Sequence, residues 1–260
     1  MTGGAPRTAW VTGAAQGIGA GIARHLALAM GMRVALLDRN DHRLRETAAL
    51  LRAEGAQVET AALDLADGPS IGPASASLAQ RFGPAEVLVN NAGIAFAAAA
   101  EDYPLDAWER TLAVNLTAPF LLSQACLAAM RTAGWGRIVN IASISGMRAG
   151  TGRVAYGTSK AGLIALTQQI AIEAAPWGIT ANAVAPGMVE TELAARMHQP
   201  ATLAAMLARV PVGRYGLAGE IAAAVGYLAS DAAAYVTGHT LAVDGGFVCA
   251  GWLLPAGQDS

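Results

Sequence analysis

Seven short β-branched or apolar runs, alternating with longer helical stretches, constrain the fold of this chain more than any other feature. Thr8 to Val11, Arg33 to Leu37, Gln57 to Leu63, Glu86 to Val89, Arg137 to Ile141, Thr180 to Val184 and Thr240 to Val243 read as strands. Strands joined through helical crossovers form a parallel sheet with helices on both faces, which is the doubly wound α/β layout. The seven runs occupy nearly all of the 260 residues, so the reading is one domain over 1–260. One stretch breaks the alternation. Gly187 to Tyr215 contains Pro200 and Pro211 and reads as two short helices in an irregular excursion. Connections of that length usually cover a site, so a lid is expected over about 187–215.

Composition excludes several classes of function. The chain is 54% hydrophobic, but the excess is mostly Ala, and no run of 18 uninterrupted apolar residues occurs, so no membrane association is expected. A formal net charge of −2 without clustered Lys and Arg argues against a nucleic-acid partner. Cys126 and Cys249 are too few for a disulfide framework and read as two buried thiols in a reducing compartment. With no signal-peptide pattern at Met1 to Pro6, a cytoplasmic location is expected. His25, His42, His198 and His239 show no metal-ligand spacing, so no metal is expected. The 17 basic residues include a single lysine, Lys160, which leaves 16 arginines. Lys and Arg interchange on most surfaces but not where a compact ammonium must meet an oxygen, which makes Lys160 a candidate functional group.

Immediately after the first strand comes Thr12-Gly13-Ala14-Ala15-Gln16-Gly17-Ile18-Gly19, and then the helical run Ile22 to Met30. Glycines at 13, 17 and 19 permit a tight turn that brings a pyrophosphate close to backbone N–H groups at a helix N-terminus. The second strand ends at Asp38, 19 residues past Gly19, near the spacing of an acid that binds adenosine ribose hydroxyls. A carboxylate there repels a 2′-phosphate, whereas the neighbouring Arg39 would attract one. Gln16 adds no cation to the loop, so NAD is favoured over NADP.

At this point the chain resembles the short-chain dehydrogenase/reductase family, from about Thr8 to Gly246. The resemblance rests on Thr12 to Gly19, on Asp64-Leu65 after the third strand, and on Asn90-Asn91-Ala92-Gly93 after the fourth. It continues through Asn115, Ser143, the Tyr156 to Lys160 pair, Pro186-Gly187 with Val189 and Thr191, and Asp244-Gly245-Gly246. It implies a Rossmann-type fold and a catalytic set of Asn115, Ser143, Tyr156 and Lys160. The cofactor would be held by Gly13, Gln16, Gly17, Ile18, Gly19, Asp38, Arg39, Asp64, Leu65, Asn91, Ala92 and Gly93. Tyr156, Lys160, Pro186, Gly187, Val189 and Thr191 would complete that set. In this family Asn115 is implied to hold a water that links Lys160 to solvent.

The chemistry of those residue types agrees. Tyr156 and Lys160 lie four apart, which places them on one helix face with Cβ atoms about 5–6 Å apart. A phenol of pKa about 10 is only about 0.1% ionised at neutral pH, so a nearby cation is needed for it to exchange a proton with an alcohol. Ser143 would orient the same substrate oxygen. The expected reaction is hydride transfer between a secondary alcohol and nicotinamide, with Tyr156 as general acid/base. Ile144, Arg148, Arg153, Met188, Met197 and His198 are candidate substrate contacts, a mixture that suits a sugar or polyol better than a long acyl chain. Rival readings are a 3-oxoacyl thioester reductase and a non-catalytic NAD-sensing module; the intact Ser143, Tyr156 and Lys160 weigh against the second. The helices Leu105 to Met130 and Val154 to Ala175 carry apolar groups on several sides, including Leu121, Leu122, Ala125, Leu163, Leu166 and Ile170. That pattern predicts a homo-oligomer, and the resemblance makes it a homotetramer.

Overall fold

A computed structural model describes residues 5–190 and 205–251. The seven runs form one sheet of strands β1 (Thr8–Thr12), β2 (Arg33–Asp38), β3 (Val58–Ala62), β4 (Val87–Asn90), β5 (Gly136–Ile141), β6 (Ile179–Pro186) and β7 (Thr240–Val243). Every pairing is parallel, in the order β3-β2-β1-β4-β5-β6-β7. The chain builds outward from β1 to β3, then crosses back to lay β4 on the other side of β1. Ligands of open parallel sheets bind at such a reversal, outside the carboxyl ends of the strands.

Both sheet faces are covered, as unbroken apolar strands require. Successive strand residues alternate between two cores: Ala9, Val11, Val34, Leu36, Val87 and Val89 face one side, and Trp10, Ala35, Leu37 and Leu88 face the other. Helices α1 (Gly17–Arg24) and α2 (Asp41–Ala53) cover the first side with Ile22 and Leu44. On the opposite side lie α3 (Gly68–Phe82), α5 (Ala118–Ala133) and α6 (Val154–Ala174), which bury Ile71, Leu122 and Ile170. Helix α7 (Ala218–Leu228) returns to the first side through Ile221 and Val225. Between α4 (Leu105–Leu112) and α5 a single π turn, Ala113–Thr117, joins the two helices into one.

The joined helix Leu105–Ala133 is long and apolar enough, by length and composition, to cross a membrane. Here Val114, Ala118, Leu122, Cys126 and Met130 pack it against the sheet.

Two sequence expectations need correction. Cys126 is buried, and burial pushes its thiol up to about 12, but Cys249 is exposed. Leu122, Leu163 and Ile170 belong to the interior, so they cannot serve as interface groups; of the six residues named, Leu121, Ala125 and Leu166 keep exposure.

Candidate active site

Gly13 (φ +65°) and Gly17 (φ +58°) occupy the left-handed region, which shapes the turn leaving β1. Gly19 is required for a different reason: a Cβ there would lie 2.1 Å from the Gly13 carbonyl oxygen and 2.5 Å from Asn91 Nδ2. Asn91 fastens this turn from β4, donating through Nδ2 to the Thr12 carbonyl at 2.8 Å. No side chain caps the first turn of α1, so its backbone N–H groups stay available to an anion. Asp38, at the end of β2, turns towards the same loop and accepts from Ala15 N at 3.3 Å and Asn40 N at 2.9 Å. Asn40, not Asp38, caps α2, accepting from Arg43 N.

Across the switch point the ends of β4, β5 and β6 and the start of α6 enclose a cleft of about 380 Å³. Gly13, Gln16, Gly17 and Ile18 line one end; Asn91 and Gly93 line its wall; Pro186, Gly187, Met188 and Val189 close it from the end of β6. Ser143, Ile144, Arg153, Tyr156 and Lys160 converge at the other end. Ser143 has extended backbone, and its Oγ accepts from Ser145 N at 3.1 Å. Of the two serines, it is the Ser143 hydroxyl that favours the Tyr156 phenolate.

Lys160 is buried and donates from Nζ to the Ile141 carbonyl at 2.7 Å. Burial pushes its ammonium down to about 8. A lowered lysine value means that the folded protein pays to hold the charge below pH 8, and this cost is relieved as pH rises from there towards 10.5, so the sign is opposite to that of an ion-paired lysine. Burial raises the Tyr156 phenol, while the Ser143 hydroxyl and the Arg153 guanidinium pull it back down. Both cations sit 5.8 Å from the Tyr156 ring centroid.

A glycine-bounded cleft with Ser143, Tyr156 and Lys160 at one end thus stands at the reversal point of a seven-stranded parallel sheet. A family model described as enoyl-(acyl carrier protein) reductase matches residues 13–248. Among curated proteins, 2-(R)-hydroxypropyl-CoM dehydrogenase of Xanthobacter autotrophicus is 41% identical, covering 93% of this chain and 98% of its own. D-threitol dehydrogenase of Mycolicibacterium smegmatis is 40% identical over 93% and 92%. The chain belongs to the short-chain dehydrogenase/reductase family. The solved gluconate 5-dehydrogenase of Burkholderia cenocepacia, in complex with NADP and tartrate, superposes with a TM-score of 0.89 at 36% identity, covering 94% of this chain and 96% of that one. As a short-chain dehydrogenase/reductase, the chain is an oxidoreductase that uses a nicotinamide cofactor. The cradle fits that group: the turn has room only for glycine, the helix end above it is uncapped, and a Cβ on Gly93 would come 3.4 Å from Lys160 Nζ.

Other positions expected in this family fall outside the cleft lining. Asn115 is buried in the π turn, where Nδ2 donates to the Ile94 carbonyl at 2.9 Å and to Ser159 Oγ at 3.0 Å, and Oδ1 accepts from Ile94 N at 2.9 Å. A π turn inside an α-helix frequently marks a functional residue. Asp64 holds Ala66 N and stands 3.7 Å from Arg110, Leu65 and Ala92 pack against the adjoining core, and Arg39 is exposed. Arg148 reaches away to the Ala250 carbonyl. Thr191, Met197 and His198 lie outside the described residues, as does most of the expected lid. Its described root pairs Val189 with Gly216 and supplies Met206 and Tyr215 to the cleft.

Sequence reasoning missed two groups. Ser159 donates to the Tyr156 carbonyl and so ties Asn115 to the helix that carries Tyr156 and Lys160; its place beside Lys160 was the available signal. Arg43 of α2 hydrogen bonds the Gln16 side chain, bringing a cation to the glycine loop from 27 positions away, a contact that no local pattern announces.

Because the Arg153 charge favours the phenolate, Arg153→Gln is expected to move the ascending limb of kcat/KM for alcohol oxidation to higher pH. An unmoved limb would show that this guanidinium does not act on Tyr156.

Proposed function

We propose that this protein interconverts a secondary alcohol and its carbonyl, with a sugar or polyol hydroxyl favoured, and that NAD is the preferred cofactor. The observation that carries the reaction is the convergence of Ser143, Tyr156 and Lys160 in one cleft. The bound nicotinamide supplies the hydride acceptor or donor. The chain's own residues manage the proton and the geometry. Ser143 Oγ and Tyr156 Oη hydrogen bond the substrate oxygen, and Tyr156 takes its proton during oxidation or returns it during reduction. The Lys160 ammonium, held against Ile141 O, favours the phenolate through its charge. The residues around the cleft would hold the substrate carbon beside a bound nicotinamide, and such positioning lowers the barrier to transfer.

Arg153 supports a polar substrate, since it adds a guanidinium to a lining in which Ile94, Ile144, Met188 and Met206 stand beside Ser143, Ser145 and Tyr215. The relative that acts on D-threitol and the solved gluconate 5-dehydrogenase point towards the same class. A second reading, reduction of 3-oxoacyl thioesters, is favoured by one comparison: 3-oxoacyl-[acyl-carrier-protein] reductase FabG of Salmonella typhimurium is 39% identical over 92% of this chain and 96% of its own.

Asp38 supports NAD. Backbone donors hold its carboxylate at the loop where an adenosine 2′-phosphate would have to sit. The test is a panel of sugars, polyols, aryl ketones and acyl thioesters, run with NAD(H) and NADP(H) and followed by nicotinamide absorbance. Polyol or sugar turnover with NAD is expected to dominate, and Asp38→Ser is expected to shift the kcat/KM ratio towards NADP by about tenfold or more, equivalent to about 1.4 kcal/mol. Acyl thioester turnover alone would overturn the substrate reading; an unchanged cofactor ratio in Asp38→Ser would overturn the role of the carboxylate.

A further inference from the structure

Near their carboxyl ends β4 and β5 each carry an asparagine, and Asn90 and Asn140 are neighbours in the sheet register. Strand alternation puts them on the α6 side, in line with Leu88 and Ile138 of the apolar core there. Instead of continuing that core they begin a chain of hydrogen bonds. Asn90 Nδ2 donates to Asn140 Oδ1 at 2.8 Å, Asn140 Nδ2 donates to Thr167 Oγ1 at 2.9 Å, and the Thr167 hydroxyl donates to the Leu163 carbonyl at 2.7 Å. All three side chains are buried. At the near end Asn90 Oδ1 finds no hydrogen-bond partner among the described residues. A buried acceptor left unpaired costs stability, and apolar side chains would fill the same space without that cost. What the chain supplies is direction, because it fixes where along β5 the helix α6 sits.

Thr167 and Lys160 are seven residues apart, two turns of α6, and so share a helix face. Asn140 and Ile141 are consecutive in β5. The helix is therefore fastened twice to one short piece of strand, through Asn140 to Thr167 and through Lys160 Nζ to the Ile141 carbonyl at 2.7 Å. The sheet steadies that piece from its other edge, where Ala142 N donates to the Val184 carbonyl at 2.7 Å. We propose that Asn140 and Thr167 are positioning residues for proton transfer, whose bond keeps the Lys160 ammonium on the Ile141 carbonyl and so at its place 5.8 Å from the Tyr156 ring centroid. Neither residue lines the cleft, so both act through Lys160. The inference rests on the reading of Lys160 as the charge that favours the Tyr156 phenolate.

Lys160 is the only lysine in the sequence, so lysine labelled at Nζ gives the full chain one side-chain signal, whose titration is read directly by NMR. In the parent it titrates at about 8, because burial opposes the charge. Thr167→Val removes the hydroxyl at nearly constant volume. Loosening the Ile141 contact leaves the ammonium in the same dry surroundings with less to stabilise it, so the midpoint is expected to fall by about 0.5 or more on the pH scale. The titratable groups facing it, Tyr156 and beyond its ring Arg153, are unchanged in the variant. With the substrate that the panel identifies, kcat at neutral pH should fall by about threefold or more with little change in KM, and the ascending limb of kcat/KM for oxidation should move to higher pH. Thr167→Ser, which keeps the hydroxyl, should restore both readouts. Ile170→Val trims a buried group of the same helix without touching a hydrogen bond, and should lower the melting temperature while leaving the Lys160 titration in place. If Thr167→Val does not fold, Asn140→Ser, too short to reach Thr167, takes its place. An unmoved or raised Lys160 midpoint, or one moved equally by Ile170→Val, would overturn the proposal whatever the kinetics show. A lowered midpoint with an unmoved pH profile would support the positioning and overturn instead the role given to the lysine charge.

Discussion

Tyr156→Phe is expected to lower kcat by at least about 10²-fold, the low end of general acid–base contributions, while leaving cofactor affinity and melting temperature close to those of the parent. The exchange keeps the ring, whose centroid lies 5.8 Å from both the Arg153 and the Lys160 cation, and removes only the hydroxyl. Lys160→Arg should also be severely impaired. The site holds a compact ammonium 2.7 Å from the Ile141 carbonyl, with Gly93 close above it, and a planar guanidinium cannot adopt that place. Steady-state kinetics in both directions, with cofactor binding measured separately by fluorescence, checks both variants. Near-parental turnover by Tyr156→Phe would remove the tyrosine from the mechanism. The same result for Lys160→Arg would show that charge suffices and geometry does not.

Gly19→Ala is expected to weaken cofactor binding by at least about tenfold and to destabilise the protein by about 1–3 kcal/mol, the usual cost of overpacking. The added methyl group would meet the Gly13 carbonyl at 2.1 Å, so the turn that receives the pyrophosphate must move off Asn91. Gly31→Ala separates this effect from backbone strain. Gly31 also has positive φ, at +66°, but nothing lies within 4 Å of its would-be Cβ, so the variant should lose about 1 kcal/mol and no cofactor affinity. Calorimetric titration with NADH and thermal melts on the pair decide the matter, and parental affinity in Gly19→Ala would contradict the packing argument.

Most of the sheet was legible because buried parallel strands must be continuously apolar, and Thr8 to Thr12 or Val87 to Asn90 have no other plausible use. The nearness of Tyr156 and Lys160 was legible for a similar reason, since they share a helix and their spacing alone puts them on one face. What escaped were features decided by distant contacts. Nothing local to Cys249 says that it stays exposed while Cys126 is covered. Leu122, Leu163 and Ile170 looked like surplus apolar surface because the packing of α5 and α6 against the sheet, which buries them, is not written in either helix alone. Arg148 and Arg153 are five residues apart in one segment, yet one reaches Ala250 and the other enters the cleft. The Arg43 bond to Gln16 depends on how α2 leans over the glycine loop.

The π turn at Ala113–Thr117 carries a consequence for how this helix tolerates length changes. A π turn accommodates one residue more than an α turn, and one α-helical residue corresponds to about 100° of rotation. Leu105–Leu112 and Ala118–Ala133 are therefore out of phase with each other by about that angle. Deleting a single residue within the turn would restore regular α-helical hydrogen bonding and leave composition and hydropathy almost untouched. It would also swing Asn115 off the Ile94 backbone and turn the Leu105–Leu112 segment around its own axis. The irregular turn is what holds Asn115 against the Ile94 backbone, so frame-preserving single deletions here should be tolerated far less than substitutions at positions of the turn other than Asn115.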